Sequence, residues 1–290
     1  MNPDTLVPRI PLGDAVADVV DWFTVTFRAF FRLVKDALVG VYDLLDLALT
    51  TPPDWVVALV LASVAYAAKG WRLAVGSLLG FALILGTDQW GNAMDTLALV
   101  LVASLIALAV AIPLGIWAAR ADRVSTVVKP VLDFMQTMPA FVYLIPTVVI
   151  FLTGPVPGIV ATVIFAMAPG VRFTELGIRQ VDSEVVEAGH AFGATPGRIL
   201  RQIQLPLAAP TLMAGVNQVI MLSLSMVVIA GMVGAGGLGN EVVAALQRVD
   251  VSLGVEAGLA VVILAIYLDR VTSGLANRAP VARALARAAA

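Results

Sequence analysis

The chain has no cysteine and a single histidine among 290 residues. That excludes a disulfide framework, thiol chemistry and a zinc site built from Cys and His. Charge is scarce as well: Asp, Glu, Lys and Arg make up 13% of the chain, against about 25% in soluble domains. The 18 basic and 20 acidic residues leave a net charge of −2 without any long basic block. Nucleic-acid binding therefore has no electrostatic support. Apolar residues fill the space: 60% of the chain is hydrophobic and its mean hydropathy is +0.96. A soluble globule of that composition lacks the polar surface to cover itself, and disorder, collagen and coiled coil fail on composition too. The sequence predicts an all-α protein that crosses a membrane several times.

A hydrocarbon core of about 30 Å takes about 20 helical residues. Thr96 to Ala119 is uncharged throughout and reads as one span. Phe134 to Val171 is also uncharged but too long, and the turn Gly154-Pro155-Val156-Pro157-Gly158 divides it into spans near 140–153 and 158–172. Gln202 to Asn240 is uncharged too, and Pro206 and Pro210 set the expected start of its span near Leu212, with an end near Val233. A weaker span, interrupted by Glu256, covers Leu253 to Leu268. Upstream, Trp55–Ala68 and Leu73–Thr87 read as two short spans or as a re-entrant hairpin, joined by Lys69-Gly70-Trp71-Arg72. The total is about seven. Trp55, Trp71, Trp90 and Trp117 fall at span ends, as an aromatic belt predicts.

Lys and Arg set the expected orientation. With the Lys69–Arg72 turn in the cytoplasm, that side holds 13 of the 18 basic residues, which predicts an outside N-terminus and a cytoplasmic C-terminus. Residues 14–50 are no signal peptide, lacking both a basic start and a continuous apolar core. Phe23, Phe27, Phe30, Phe31, Val34, Leu38, Tyr42 and Leu45 recur at helical steps, and Arg28, Arg32 and Lys35 form a stripe on another face. This reads as an amphipathic helix, either lying on the bilayer surface or packed against the protein's own spans. The expected organisation is an N-terminal amphipathic region (1–54), two accessory spans (55–92), a five-helix core (93–272) with a cytoplasmic loop at 172–206, and a cytoplasmic tail (273–290).

That loop carries the information. Val185, Ala188 or Gly189, and Phe192 share a helical face, Gly193 can end the helix, and Thr195-Pro196 can cap and start a second one. The expected form is a helix–turn–helix outside the bilayer, with small residues at its bend. Glu187-Ala188-Gly189, Gly193, Ile203 and Leu205-Pro206 at these spacings resemble the cytoplasmic "EAA" signature of ABC importer permeases. Gly189 is the one departure, since Ala is usual there. Gly costs about 1 kcal/mol of helix propensity relative to Ala, which predicts a looser local helix. The resemblance is closer still to permease subunits of osmoprotectant importers for glycine betaine and proline betaine. Leu114-Gly115-Ile116-Trp117, Met135 to Leu144, Met213 to Gln218, Leu224 to Ala230 and Gly236 to Gly239 carry it over most of the chain. Choline importers have very similar membrane subunits.

The resemblance implies that Glu187 to Pro206 docks into a cleft of a separate cytoplasmic ATPase, that an extracytoplasmic solute-binding protein delivers solute, and that two permease copies form the pathway. Asn217, Met221 and Ser225 fall on one helical face and either line the passage or hydrogen-bond neighbouring helices. Asp133 and Gln136 precede the Pro139 span and are candidates for its cytoplasmic mouth. His190 reads as an ordinary surface or packing residue. Gly234-Ala235-Gly236-Gly237-Leu238-Gly239 matches G-x-G-x-x-G but follows a span on the expected outer side, so the dinucleotide reading is rejected. These glycines read as a tight loop under a docked receptor or as a flexible turn.

Lys35, Lys69 and Lys129 follow no phosphate-binding loop, and neither a catalytic set nor an acidic pair is visible. The chain is therefore expected to be no enzyme, to hold no cofactor or metal, and, ending soon after its last span, to carry no receptor domain. The alternatives are an ABC permease for another small solute, an ion-coupled secondary carrier, and a membrane scaffold. A secondary carrier needs an ionisable residue inside the bundle, for which only Glu256 is a candidate; a scaffold has no use for the coupling signature.

Overall fold

Helix-breaking residues and apolar runs cut the chain into fourteen helices in the computed structural model, which describes residues 11–278; no strand occurs among the described residues. The helices are α1 (Leu12–Thr26), α2 (Arg28–Thr50), α3 (Asp54–Lys69), α4 (Trp71–Gly86), α5 (Trp90–Arg120), α6 (Asp122–Thr137) and α7 (Ala140–Phe151). They continue with α8 (Pro155–Arg179), α9 (Ser183–Ala191), α10 (Pro196–Ile199), α11 (Leu205–Ser225), α12 (Val227–Gly231), α13 (Gly237–Arg248) and α14 (Val251–Arg278). A single π-helical turn, Leu200–Gln204, joins α10 to α11. Residues 279–290, most of the tail expected in the cytoplasm, lie outside the described residues.

Four helical runs are long and apolar enough to cross a bilayer: α5, α8, the run Pro196–Gly231, and α14. Two further helix pairs reach that length and hydropathy only together, and each is sharply bent: α2 with α3 at 104° and α6 with α7 at 96°. Both bends sit at proline. Thr51-Pro52-Pro53 interrupts the first pair, and Met138, before Pro139, is extended at ψ 136° in the second. Proline donates no amide and pushes its predecessor out of the helical region, so the chain turns there. α3 and α4 are 16 residues each and meet at Gly70, held at φ +90°.

The centre is built on small residues. α5 and α8 run side by side in the same direction, so that a Cβ at Gly115 would lie 2.6 Å from the Thr174 Cβ and one at Gly170 would lie 2.9 Å from the Ala111 Cβ. α11 runs the opposite way across α8, with Gly215 against Phe173 and Gly177 against Thr211 and Leu212. Lipid tails are as apolar as leucine, so close approach of backbones, rather than a hydrophobic drive, holds such helices together.

The accessory helices pack on α14. A Cβ at Gly274 would meet the Ala68 carbonyl oxygen at 2.7 Å, which sets the Lys69–Arg72 turn at the same end of the bundle as the end of α14. Tyr267 on α14 donates from its hydroxyl to the Leu61 carbonyl at 2.9 Å and stacks on Phe81, which meets Trp90 edge-on. Trp90 is therefore 6% exposed and belongs to the core, not to an aromatic belt, whereas Trp55, Trp71 and Trp117 are exposed.

Three boundaries differ from those expected. α8 passes Arg172 and ends at Arg179, because its charged residues find partners on α6 and need not leave the helix. α11 starts at Leu205 instead of Leu212: Pro206 occupies its first turn, where an amide is dispensable, and the wider π turn carries the chain past it. The amphipathic region is two helices broken at Phe27, and α2 packs Leu38, Tyr42, Leu45 and Leu49 against α5 and α8. Of the face expected either on the bilayer surface or on the protein's own spans, Leu38, Tyr42 and Leu45 pack on those spans, while Phe23, Phe27 and Phe30 stay exposed.

Candidate functional site

The loop between α8 and α11 lies at one end of the bundle. Asp182 caps α9, its carboxylate accepting from the Glu184 amide at 2.9 Å, as a short polar N-cap does. On α9, Glu187, Ala188 and His190 are exposed while Gly189 is buried. A Cβ on Gly189 would lie 2.8 Å from the tip of Ile203 and 3.4 Å from Ile199, so α9 rests directly on the chain entering α11. Gly193 has φ +76° with open space around it, and its amide donates to the His190 carbonyl at 2.9 Å. The bend thus uses the conformational freedom of glycine rather than its size. Phe192, just before it, is 91% exposed.

The seven signature residues therefore divide by task. Glu187 and Ala188 face outward. Gly189 and Ile203 form the contact between the two arms. Leu205 packs with Ile178, Leu200, Ala208 and Ile116 to seat the loop on the ends of α5 and α8, and Pro206 lies in the first turn of α11.

Beneath the loop lies a group of charges that the sequence did not reveal. Glu175 on α8 has a side chain 6% exposed. It accepts from Ser125 Oγ at 2.7 Å and pairs with Lys129 at 3.3 Å, both on α6, and with Arg179 at 3.0 Å. Arg179 also reaches Asp122 at 2.7 Å and donates to the Ala118 carbonyl at 2.9 Å. Arg172 pairs with Asp133. The cluster fastens α6 to α8 and α5 beside the loop. Apart from Glu175 and Arg179, four residues apart on α8, its partners stand about 40–60 positions apart in the chain, so local spacing signals only that one pair.

The candidate pathway residues find separate partners. Asn217 donates to Asp269 Oδ1 at 3.0 Å and accepts from Thr272 Oγ1 at 2.7 Å, a contact from α11 to α14. Ser225 is exposed and donates to the Met221 carbonyl of its own helix at 3.0 Å; Met221 is half-buried. Asp133 is held by Arg172, and Gln136 is exposed.

At the opposite end, the glycine run makes a backbone crossing. A Cβ on Gly239 would lie 2.1 Å from the Val227 carbonyl oxygen, and one on Gly231 would lie 2.4 Å from the Gly239 carbonyl carbon. Gly234, Gly236 and Gly237 all have positive φ, and the Leu238 amide donates to Thr96 Oγ1 at 2.8 Å. Neither expected reading, a loop under a receptor or a flexible turn, included this: the glycines let α12 and α13 touch.

The architecture is thus a bundle of helices long and apolar enough to cross a membrane, with a folded loop at one end that leaves Phe192 exposed. Residues 111–278 match the family described as "Binding-protein-dependent transport system inner membrane component", and the chain belongs to that family. It is a multi-pass membrane protein. It is 47% identical over 269 residues to the glycine betaine transport system permease protein OpuAB of Bacillus subtilis, covering 93% of this chain and 95% of that one. To the glycine betaine/carnitine transport permease protein GbuB of Listeria monocytogenes it is 49% identical over 277 residues, with 94% and 98% covered. The glycine betaine/proline betaine permease ProW of Escherichia coli is 45% identical, with 92% of this chain and 75% of that protein covered. Among solved structures, the inward-facing MetNI methionine ABC transporter matches with a TM-score of 0.59 at 23% identity, over 63% of this chain and 92% of that one. That likeness speaks to the fold alone.

Proposed function

We propose that this chain is the membrane subunit of an ATP-driven importer for a quaternary ammonium compatible solute, glycine betaine or a close analogue. The similarity to three glycine betaine permeases over more than nine-tenths of the chain carries this reading. ATP hydrolysis then belongs to a separate cytoplasmic ATPase that receives the α9–α10 loop, and an extracytoplasmic solute-binding protein supplies the substrate. Two copies of this chain enclose the pathway, because one bundle encloses little space. The domain limits proposed are 1–54, 55–92, 93–272 and 273–290, with the N-terminus outside and the C-terminus in the cytoplasm. Glu187, Ala188, Gly189, Gly193, Ile203, Leu205 and Pro206 make up the coupling loop in this reading. Asn217, Met221, Ser225, Asp133 and Gln136 stay as candidates along the passage, with Asn217 acting through its bonds to α14.

A quaternary ammonium ion is best recognised by aromatic faces. Three aromatics of this bundle, Trp90, Phe81 and Tyr267, are buried against one another and are not free to form such a site. This supports placing selectivity in the solute-binding protein and leaving the spans a weak, smooth passage. ATPase closure drives transport only if the ATPase dimer binds the two permease states with different affinity. The experiment is solute uptake by the reconstituted complex. Competition by glycine betaine, proline betaine or choline supports the reading. Competition by an unrelated amino acid or sugar alone overturns it.

A further inference from the structure

The basic stripe of the N-terminal region was not absorbed by the transport function, and the structure gives it a definite place. Arg28, Arg32 and Lys35 stand one turn apart along α2 and line a groove of about 420 Å³. Its other walls are Thr24, Val25 and Phe31 and, from the α7–α8 turn, Ile150 and Leu152. No carboxylate lines it. Lys35 Nζ donates to the Phe151 carbonyl at 3.0 Å, the last of α7, where a cation complements the negative end of the helix dipole. That bond fixes the stripe to the bundle. Arg28 and Arg32 form no ion pair among the described residues, although both are exposed.

Two guanidinium groups that face a groove lined by no carboxylate are placed to hold an anion, and the groove's remaining surface is mostly apolar. Leu152, 65% exposed, continues that apolar surface outward. A soluble anion matches the first feature but not the second. We propose that this groove binds the phosphodiester headgroup of an anionic phospholipid. Arg28 and Arg32 hold the phosphate through paired N–H donors, and the acyl chains lie along Phe31, Ile150 and Leu152. Guanidinium suits this task because its planar donor fork matches phosphate oxygens. The site stands at the α7–α8 turn, the end of the bundle away from the coupling loop, and does not depend on the solute transported.

The test is lipid retention by the purified full chain in detergent, read by native mass spectrometry. Phosphatidylglycerol and phosphatidylcholine of identical acyl chains are offered in parallel. Each basic residue near an anionic lipid contributes roughly fivefold in affinity. The double variant Arg28→Gln/Arg32→Gln should therefore hold phosphatidylglycerol about thirtyfold more weakly, with a much smaller loss for phosphatidylcholine, whose choline offsets the phosphate charge. Arg28→Lys/Arg32→Lys should recover part of the loss, because charge returns without the fork. Equal retention of the two lipids by the unmodified chain overturns the proposal, as does undiminished phosphatidylglycerol binding by the Gln variant. Displacement of the lipid by millimolar inorganic phosphate overturns it too, in favour of a free-anion site. Should the double variant fold poorly, Arg32→Gln alone decides on the same criteria.

Discussion

Glycine serves opposite purposes at the two ends of this bundle. At the α12–α13 crossing the backbones touch, and added Cβ atoms would lie 2.1 Å and 2.4 Å from main-chain atoms that cannot yield. In the α9–α10 loop, Gly193 is surrounded by open space and is needed for its φ of +76°. Gly189 beside it meets only the flexible end of Ile203. One end is fixed by contact and the other is shaped by conformation. A substitution should therefore break the fold at the first and the partner contact at the second.

The largest effect is expected at Gly239. Gly239→Ala, and next to it Gly231→Ala, force two backbones apart, an overpacking cost of about 3 kcal/mol or more. Detergent-solubilised chain should aggregate or lose several degrees in melting midpoint by size-exclusion and fluorescence. A normal elution profile for Gly239→Ala would show that the crossing is not rigid. Glu175→Ala comes next, because it strips the shared acceptor from Ser125, Lys129 and Arg179. Removing one partner of a buried pair costs about 3–5 kcal/mol, but the exposure of Lys129 and Arg179 to solvent reduces this to roughly 1–2 kcal/mol. α6 should become protease-sensitive while α9 stays intact; unchanged cleavage would mean that apolar packing alone holds α6.

At the α9–α10 loop, if it docks an ATPase as proposed, the effect should move from stability to association. Gly193→Val places a β-branched residue at positive φ, costing about 1–2 kcal/mol locally, and Phe192→Ser removes a side chain with little intramolecular packing. Both variants should insert and elute normally yet lose co-purification with the ATPase by at least tenfold. Retention at the wild-type level by either one removes that residue from the docking surface. Smallest of all is Gly189→Ala. Ile203 can shift its terminal methyl, and the gain in helix propensity of about 1 kcal/mol offsets the crowding. Uptake and melting midpoint should stay within error of the parent chain, and a loss comparable to Gly193→Val would show that the arms of the loop cannot move apart at all.

How much of this was legible beforehand follows from the range of the interactions. Hydropathy located the long helices, because each span is a property of consecutive residues. Fixed spacing within one short loop likewise singled out Glu187 to Pro206, whose expected helix–turn–helix form the structure shows. The limits of α8 and α11 were missed because prolines and charges read locally as helix ends. Pairing of Glu175 and Arg172 across to α6, and the π turn before Pro206, carry the helices past them. The glycine run misled for the same reason: its matched spacing is local, whereas the contact between Gly231 and Gly239 is made by two helices crossing.

The long run from Pro196 to Gly231 has a mechanical consequence. It bears on α8 along its length, with Gly177 against Thr211 and Leu212, Gly215 against Phe173, Gly170 against Val219 and Gly158 against Ala230. At 1.5 Å per residue, the contacts from Thr211 to Ala230 cover about 28 Å. Two rods seated on each other over that distance do not tilt independently. A push on the loop at one face is therefore carried to the other by both rods together, and the π turn at Leu200–Gln204 and the turn at Met226 are the places where the run can bend.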